Sequence, residues 1–292
     1  MLIARVIAEP ATLSAFGADA VHALESAGAH VHSAELLPDF GDVLELAISG
    51  DRAAARSAIE ATLAPVDLLL STGLPRMPGV FVSDMDSTMI GQECIDELAD
   101  FAGIKGQIAA ITERAMLGEL DFAEALTERV RLLGGLSEDA IQQCLDQRIR
   151  PMPGARVLVE TLKANGCVTV LVTGGFHQFA DPVAGWLGFE RVVGNRLATS
   201  KGRLTGELAG DIVDSTVKLQ VLQDEVSRCD GVPSLATGDG ANDIPMLVAA
   251  DYGFAYHAKP KARAASNGAI DRGDLTSVLK LLGIARSEWV TD

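Results

Sequence analysis

The chain has 292 residues, 48% of them hydrophobic, which is enough for one large or two ordinary domains with a packed core. It carries 24 Lys and Arg against 40 Asp and Glu, a formal net charge of −16. A surface this acidic repels phosphate backbones and anionic lipids, so we expect neither nucleic acid nor membranes as partners. An anionic substrate would need cations concentrated at its site.

Cysteine and histidine usage excludes two further classes of protein. The four cysteines and five histidines are scattered, without the spacing of a disulfide framework or a zinc site. The N-terminal residues MLIARVIAEPATLSAF do not resemble a secretory signal, and no run of about 18 apolar residues occurs. We therefore expect a cytoplasmic protein.

The first part of the chain predicts a small α+β domain. Its predicted elements are a strand over 2–7, a helix over 11–29, strands over 31–37 and 43–49, and a helix over 53–63. This β-α-β-β-α order, which the residues VDLLLST can close with a fourth strand, favours a ferredoxin-like fold. Residues 74–79 (LPRMPG) contain two prolines and a glycine and predict a linker.

After the linker, apolar strands alternate with helical patterns. The predicted strands are VFVSD (80–84), CVTVLVTGG (167–175), PSLATGD (233–239) and DYGFAY (251–256). This alternation is typical of an α/β fold with a doubly wound, Rossmann-like parallel sheet. Ligands bind beyond the carboxyl ends of such strands, and the polar clusters of this sequence lie there.

Two segments interrupt the α/β pattern. Residues from about 93 to 150 show helical spacing and are too many for an ordinary crossover, so they predict a helical cap over the sheet edge. Residues 195–208 alternate about a Lys-Gly turn and predict a β-hairpin. We therefore predict two domains, 1–76 and 77–292, with the cap inserted in the second.

Carboxylates follow two of the predicted strands. Asp84 and Asp86 come at the end of the first strand, and Asp239 and Asp243 lie in the segment GDGAND after a later one. Four acids cannot share a small site without a cation, because burying a carboxylate is costly unless charge and hydrogen bonds compensate it. Mg²⁺ prefers oxygen ligands and suits such a set. Each motif alone is weak, since an aspartate after a strand is also a common helix cap.

Two further motifs supply groups that bind anions. Thr173, Gly174 and Gly175 follow the strand CVTVLV and offer a hydroxyl and backbone N–H groups. Lys218 lies near the start of a predicted amphipathic helix, where a lysine taken alone is usually solvated. Together these residues predict an anion site beside the carboxylates.

Over about residues 78–285, the sequence resembles the haloacid dehalogenase superfamily, because four motifs occur in its order: DxDxT, TGG, Lys and GDxxxD. Within this region, the sequence is similar to phosphoserine phosphatases in the segments DMDSTMIGQE, VTGGF and GDGANDIPM. The resemblance implies that Asp84 is a nucleophile that forms an aspartyl-phosphate and that Asp86 is the general acid and base. It also implies Mg²⁺ on the Asp84 carboxylate, the Asp86 carbonyl and Asp239, with Asp243 supporting the ion indirectly.

The same resemblance assigns substrate contacts to the cap. Glu93 and Arg129 match positions that bind the ammonium and the carboxylate of phosphoserine. Met116 and Phe122 match an apolar wall of the cap. Without the resemblance, Glu93 and Arg129 would be ordinary exposed helix charges. Asn242 is a further candidate for contact with the phosphoryl group or the substrate.

Around the phosphoryl oxygens, the resemblance implies Thr173, Gly174, Gly175 and Lys218. The motif of the family usually begins with serine, whereas this sequence has Thr173. The hydroxyl is retained, but we expect the extra methyl group to crowd the cradle slightly, which allows a shift in rate or substrate range.

The resemblance thus implies a Mg²⁺-dependent phosphoserine phosphatase that hydrolyses O-phospho-L-serine and completes serine synthesis. An acid two residues after the nucleophile favours an alkoxide leaving group over a halide. Two alternatives stay open: a phosphatase or phosphotransferase for another small phosphomonoester, and an amino-acid-sensing binding module on an inactive core. We expect the N-terminal domain to be ACT-like, with a regulatory or dimerisation role, and the protein to be a homodimer.

Overall fold

In the part of the chain that the structure describes, ten strands form one continuous sheet, and two further strands form a separate sheet. The structure is a computed structural model and describes residues 1–117 and 119–291, without the side chains of Ser14 and Met116. The long sheet crosses the domain boundary predicted after residue 76, which stays a prediction. In the described ranges, no helix combines the length and the apolar character needed to cross a membrane.

The N-terminal segment has the predicted ferredoxin-like topology. Its elements are β1 (Leu2–Ile7), α1 (Pro10–Ser14), α2 (Ala18–Ser26), β2 (His30–Leu36), β3 (Val43–Ser49), α3 (Arg52–Leu63) and β4 (Asp67–Ser71). Its strands are antiparallel in the order β2-β3-β1-β4. The single helix predicted over 11–29 is wrong. The chain forms two helices instead, which the extended backbone of Gly17 separates. Glycine has a low helix propensity, so a helix is easily interrupted there.

The remaining strands contain the predicted parallel sheet and hairpin. They are β5 (Val80–Ser83), β6 (Val168–Phe176), β7 (Arg191–Asn195), β8 (Leu197–Ser200), β9 (Arg203–Leu208), β10 (Ser234–Gly238), β11 (Tyr252–Tyr256) and β12 (Gly268–Ile270). Strands β8 and β9 form the hairpin, and the other six are parallel in the order β12-β11-β10-β5-β6-β7. The chain winds outwards from β5 to β7 and then returns to β10 beside β5. The doubly wound sheet is therefore confirmed, and its winding direction switches between β5 and β10, where ligands bind in such sheets.

Helices form the predicted cap and cover the sheet. The cap helices are α4 (Cys94–Phe101), α5 (Lys105–Met116), α6 (Phe122–Leu132) and α7 (Glu138–Arg148). The helices against the sheet are α8 (Ala155–Ala164), α9 (His177–Leu187), α10 (Ser215–Arg228), α11 (Ile244–Ala249), α12 (Pro260–Ala265) and α13 (Thr276–Leu282). Short 3-10 turns occupy Ala241–Asp243 and Arg286–Glu288.

Strand β5 is buried on both faces because its side chains alternate between two apolar cores. Phe81 packs in a core that includes Leu158 of α8, whereas Val82 packs in a second core with Val221 of α10 and Met246 of α11. A strand covered on both faces is apolar throughout, as VFVS is. This packing fixes the end of β5, where the first aspartate follows.

The cap rests on the hairpin through main-chain hydrogen bonds. Gly135 N, in the loop between α6 and α7, donates to Leu204 O of β9 (2.8 Å), and Leu204 N donates to Leu136 O (2.8 Å). The Arg203 guanidinium also donates to Gly135 O (2.7 Å). These hydrogen bonds hold the cap loop against the hairpin, in addition to the two covalent connections that join the cap to the core.

One buried carboxylate reinforces the junction between the N-terminal segment and the core, where β4 pairs antiparallel with β12. Asp67 is 1% exposed. It accepts hydrogen bonds from the backbone N–H groups of Asp271 (2.8 Å), Arg272 (2.8 Å) and Gly273 (3.0 Å) and from the hydroxyl of Ser277 (3.2 Å). The loop after β12 is thereby tied to β4.

Replacing Asp67 with alanine is expected to destabilise the protein by about 2–4 kcal/mol, because several buried donors lose their acceptor. The free energy of unfolding, measured by urea denaturation, checks this. Asp39→Ala, at an exposed position in the loop before β3, serves as the matched control and should change stability by less than about 0.5 kcal/mol. Equal effects of the two substitutions would contradict the role given to Asp67.

Candidate active site

The two strands at the switch point bring their terminal residues together. Strands β5 and β10 are parallel neighbours, with Ser83 opposite Thr237. Asp84 N donates to Thr237 O (3.0 Å), the Thr237 hydroxyl donates to Ser83 Oγ (2.7 Å), and the Ser83 hydroxyl donates to Asp84 O (2.7 Å). This network fixes the backbone from which the Asp84 side chain projects.

Three aspartates and one lysine form the centre of the site. One carboxylate oxygen each of Asp84, Asp239 and Asp243 lies within 4.8 Å of the others, and all three residues are buried. Lys218 is 1% exposed, and its Nζ lies 2.6 Å from Asp84 Oδ1 and 2.7 Å from Asp243 Oδ1. The lysine is therefore a buried counter-charge, not the solvated side chain that its sequence position alone would favour.

The start of α10 places this lysine. Asp214 caps the helix by accepting hydrogen bonds from Thr216 N (2.8 Å) and Val217 N (3.0 Å), and Lys218 is the fourth helical residue. Burial lowers the pKa of Lys218, but the carboxylates of Asp84 and Asp243 raise it more, and the net shift is upward. Lys218 therefore stays positively charged at neutral pH.

Asp243 is held by both of its carboxylate oxygens. Oδ1 contacts Lys218, and Oδ2 accepts hydrogen bonds from the backbone N–H groups of Asp239 (3.2 Å) and Gly240 (3.0 Å). A Cβ atom at Gly238 would lie 2.6 Å from the Asp243 side chain, which only glycine at that position avoids. The Gly-Asp-Gly segment thus lets the second carboxylate pair reach the site.

The two aspartates after β5 have raised pKa values. Burial, followed by the charge of Asp243, raises the pKa of Asp84 well above its usual range, and Lys218 offsets part of this rise. Burial, followed by the charge of Glu93, raises the pKa of Asp86 to about 7. The Asp86 Oδ1 atom is buried and has no hydrogen-bond partner in the described residues. A carboxyl group that titrates near neutral pH is suited to giving and taking a proton.

The charge balance of the cluster fits a bound cation. Lys218 supplies one buried positive charge against the carboxylates of Asp84, Asp239 and Asp243, and Lys259 reaches Asp239 from the surface (3.5 Å). Burial is also the largest cause of the raised pKa of Asp239. A hard divalent cation with oxygen ligands would supply the missing charge, so these residues could hold a metal ion.

The predicted anion-binding loop lies beside the cluster. Thr173, Gly174 and Gly175 line the same cleft as Asp84 and Asp239. Thr173 Oγ1 accepts a hydrogen bond from Gly175 N (2.8 Å). These three residues belong to the end of β6, which extends to residue 176, and α9 begins directly after it at residue 177.

The cap supplies the opposite wall of this cleft, whose volume is about 220 Å³. Phe122, Leu126 and Arg129 lie four and three residues apart on one face of α6 and line the cleft. Phe122 lies close over the loop, because a Cβ atom at Gly174 would be 3.2 Å from its ring. The side chain of Met116, also predicted for this wall, lies outside the described residues.

Glu93 and Asn242 line the cleft as well. Glu93 is oriented by Ser87, whose hydroxyl donates to Glu93 Oε1 (2.8 Å). Ser87 has a left-handed backbone (φ 55°), a conformation that non-glycine residues adopt at some cost and that is often found in functional loops. The structure thus brings all the described predicted side chains to one site.

Sequence reasoning missed Ser87, Leu126 and Lys259. Lys259 follows strand β11 at the same sheet edge, and this position beyond a carboxyl end was a usable signal. Leu126 lies between Phe122 and Arg129 at helical spacing and was also recognisable. Ser87 gave no sequence signal, because nothing in a serine predicts the left-handed backbone that it adopts here.

Comparison with known proteins identifies the class to which this site belongs. Residues 81–248 match the family model of haloacid dehalogenase-like hydrolases. The chain belongs to this family, and it is an enzyme of the hydrolase class.

Comparison with individual proteins shows which members of the family this chain is similar to. The chain is 44% identical to phosphoserine phosphatase SerB2 of Mycobacterium tuberculosis over 216 residues, which cover 73% of this chain but only 52% of that protein, so the chain spans about half its length. It is 38% identical to phosphoserine phosphatase of Streptomyces coelicolor over 292 residues, covering 97% of this chain and 70% of the relative. A crystal structure of a probable phosphoserine phosphatase from Vibrio cholerae aligns with a TM-score of 0.74 and 28% identity, covering 98% of this chain and 87% of that one.

The raised pKa of Asp86 predicts a pH dependence of stability in metal-free protein. Because the folded-state pKa lies near 7, above the usual value of 3.8, this group stabilises the fold at low pH and loses that contribution as the pH rises through about 7. Between about pH 5 and pH 8, wild type should lose about 1–3 kcal/mol more stability than Asp86→Asn. Urea denaturation in EDTA measures this difference.

Asp39→Asn, at an exposed position, is the control and should follow the wild-type pH dependence. Identical pH dependence of wild type and Asp86→Asn would show that Asp86 does not titrate in this range.

Proposed function

We propose that the chain is a Mg²⁺-dependent phosphatase that hydrolyses O-phospho-L-serine to L-serine and phosphate. The observation that carries the proposal is a single cleft that holds both the Asp84–Lys218 pair and the oppositely charged side chains of Glu93 and Arg129. Relatives at 38–44% identity that carry the name phosphoserine phosphatase support it.

In the first step, an Asp84 carboxylate oxygen attacks phosphorus, and the bond from phosphorus to the seryl oxygen breaks. Asp86 donates its proton to the leaving oxygen, which gives serine and an aspartyl-phosphate on Asp84. The pKa of Asp86 near 7 means that a substantial fraction of the free enzyme carries this proton at neutral pH.

In the second step, Asp86 accepts a proton from water, and the water oxygen attacks the phosphorus of the aspartyl-phosphate. The bond between phosphorus and Asp84 breaks, which releases phosphate and restores both carboxyl groups. Mg²⁺, held by Asp84, Asp239 and the backbone carbonyl of Asp86 with indirect support from Asp243, would supply positive charge next to the phosphoryl oxygens.

Fixed donors of the chain stabilise the transferring phosphoryl group. Lys218 provides a buried charge beside Asp84. Thr173 Oγ1 already accepts the Gly175 N–H, so its own proton is available for a phosphoryl oxygen. The backbone N–H of Gly174 and the side chain of Asn242 lie in the same cleft. Donors fixed in this way favour the charge of the transition state.

The cap residues select the amino-acid part of the substrate. Within the described residues, Arg129 donates through Nε to Ala125 O (3.3 Å), and its terminal NH₂ groups have no protein acceptor. They are available for a substrate carboxylate, while Glu93 offers a carboxylate to the substrate ammonium. Phe122 covers the loop at Gly174 and limits the size of the leaving group.

For the N-terminal segment, the ferredoxin-like topology supports an ACT-like regulatory or dimerisation role in a homodimer. A place for the enzyme at the end of serine synthesis follows from the proposed reaction, and its location in the cytoplasm stays a prediction.

Phosphate release from O-phospho-L-serine and a panel of small phosphomonoesters, with Mg²⁺ or EDTA, tests the proposal. We expect selective, Mg²⁺-dependent turnover of phosphoserine that Asp84→Asn lowers by at least about 10³-fold. If other esters are hydrolysed and phosphoserine is not, the phosphatase chemistry stands and phosphoserine is ruled out as the substrate. If no ester is turned over, the binding-module alternative gains support.

A matched pair of substrates tests the cap residues. Phosphoethanolamine lacks the carboxylate of phosphoserine, and 3-phosphoglycerate has a hydroxyl in place of its ammonium. Arg129→Gln should lower kcat/KM for phosphoserine by about 10- to 100-fold, because a charged hydrogen bond is lost, and should leave phosphoethanolamine nearly unchanged. Glu93→Gln should similarly impair phosphoserine but not 3-phosphoglycerate.

The control for Arg129→Gln is Arg131→Gln, two residues further along the same helix and exposed, which should not affect either substrate. Equal losses on phosphoserine and phosphoethanolamine would show that Arg129 does not recognise the carboxylate.

A further inference from the structure

The end of edge strand β7 lies against the loop that binds the phosphoryl group. Asn195 is 2% exposed and uses both ends of its side-chain amide. Its Nδ2 donates to Gly174 O (2.8 Å), and its Oδ1 accepts from Val213 N (2.9 Å). Neither Asn195 nor its neighbour Gly194 lines the cleft. Both therefore act on the site only through other residues.

Asn195 and Thr173 together fix one peptide group of the loop. The carbonyl of the Gly174–Gly175 peptide accepts from Asn195, and the N–H of the same peptide donates to Thr173 Oγ1 (2.8 Å). Two successive glycines have wide conformational freedom, so these hydrogen bonds restrict a segment that would otherwise sample several orientations. The direction of the Gly174 N–H depends on this restriction.

The other end of the Asn195 amide reaches the lysine helix. Val213, whose N–H it accepts, directly precedes Asp214, the residue that caps α10. Lys218 N in turn donates to Asp214 O (3.1 Å). One buried side chain thus joins the two elements that carry the donors for the phosphoryl group, the loop after β6 and the start of α10.

Gly194 leaves space for the methyl group of Thr173. A Cβ atom at Gly194 would lie 3.1 Å from Thr173 Cγ2 and 3.5 Å from Gly175 O. The backbone of Gly194 is not left-handed, so its conformation does not require glycine. The requirement is one of space, and a serine at position 173 would remove it. The crowding expected from the threonine is therefore relieved at Gly194.

We propose that Gly194 and Asn195 are positioning residues for the phosphoryl-binding loop and that Gly194 is the specific steric partner of Thr173. The proposal rests on the proposed function in one respect, that this cleft binds a phosphoryl group. It does not depend on which ester is the substrate.

The amide is tested with Asn195→Asp, which keeps the shape and the acceptor for Val213 N but replaces the donor to Gly174 O with an oxygen. Calorimetry with inorganic phosphate in Mg²⁺ should show a dissociation constant raised on the order of tenfold, and kcat should fall by a similar factor. The control is Asn165→Asp, whose Nδ2 donates to Thr161 O (2.9 Å) at the exposed end of α8. It should leave both quantities within about twofold.

The steric pair is tested by rescue. Gly194→Ala should weaken phosphate binding and lower kcat on the order of tenfold, whereas Thr173→Ser combined with Gly194→Ala should recover most of that loss relative to Thr173→Ser alone. Gly185→Ala, where a Cβ atom meets nothing within 4 Å, should have no such effect. This comparison is a double-mutant cycle. If Gly194→Ala only lowered the stability of the fold in general, Thr173→Ser would not selectively reverse its effect.

The outcomes separate this proposal from the proposed substrate. If wild type binds phosphate and hydrolyses an ester other than phosphoserine while the variants show the expected losses, the positioning role stands and the substrate falls. If Asn195→Asp behaves like Asn165→Asp, or if Thr173→Ser does not relieve Gly194→Ala, the positioning role is overturned. If wild type neither binds phosphate nor hydrolyses any ester, both proposals fail.

Discussion

The site depends on a lysine buried between carboxylates. Lys218 lies within 2.7 Å of Asp84 and Asp243, which come from different segments of the chain. Removing a partner from such a cluster leaves uncompensated buried charge, which typically costs about 3–5 kcal/mol. The cluster is therefore stable only when β5, β10 and α10 are all in place, so the interaction at the centre of the proposed active site also joins three elements of the core.

The surroundings of this cluster are organised by residues that do not line the cleft. Gly238 lets Asp243 approach, and Asn195 restrains the loop at Gly174. The hairpin that follows Asn195 is hydrogen-bonded to the cap loop through Leu204 and Gly135. One stretch of chain thus contacts the loop proposed to bind the phosphoryl group, the cap and the approach to the lysine helix. Substitutions in this stretch can affect the site without touching it.

The sequence predicted those parts of the site that follow from sheet geometry. The carboxyl ends of parallel strands meet at one edge, so Asp84 and Asp239 could be placed together from their positions after apolar runs. Lys218 could not be placed in this way, because nothing in its helix distinguishes a buried lysine from a solvated one. Its assignment came only from the order of four motifs. Asn195 had no signal, because its partners are backbone atoms remote in sequence.

The fold shows the same division between local and non-local information. Most strands, the hairpin and the helical cap follow from local periodicity and were predicted. Strands β7 and β12 were missed, and so was the break at Gly17, because apolar spacing continued across it. The pairing of β4 with β12, and the four hydrogen bonds to Asp67, join segments about 200 residues apart. No local pattern specifies such a contact, and so the continuous ten-stranded sheet could not be foreseen.

In the proposed mechanism, Asp84 carries the phosphoryl group between the two steps. The most direct test is rapid acid quenching of the enzyme during turnover of phosphoserine with Mg²⁺, followed by mass spectrometry of its peptides. We expect one phosphoryl group on the peptide that contains Asp84, located at that residue and absent from Asp84→Asn. Steady phosphate release with a phosphoryl group on another residue, or with sustained turnover by Asp84→Asn, would contradict it.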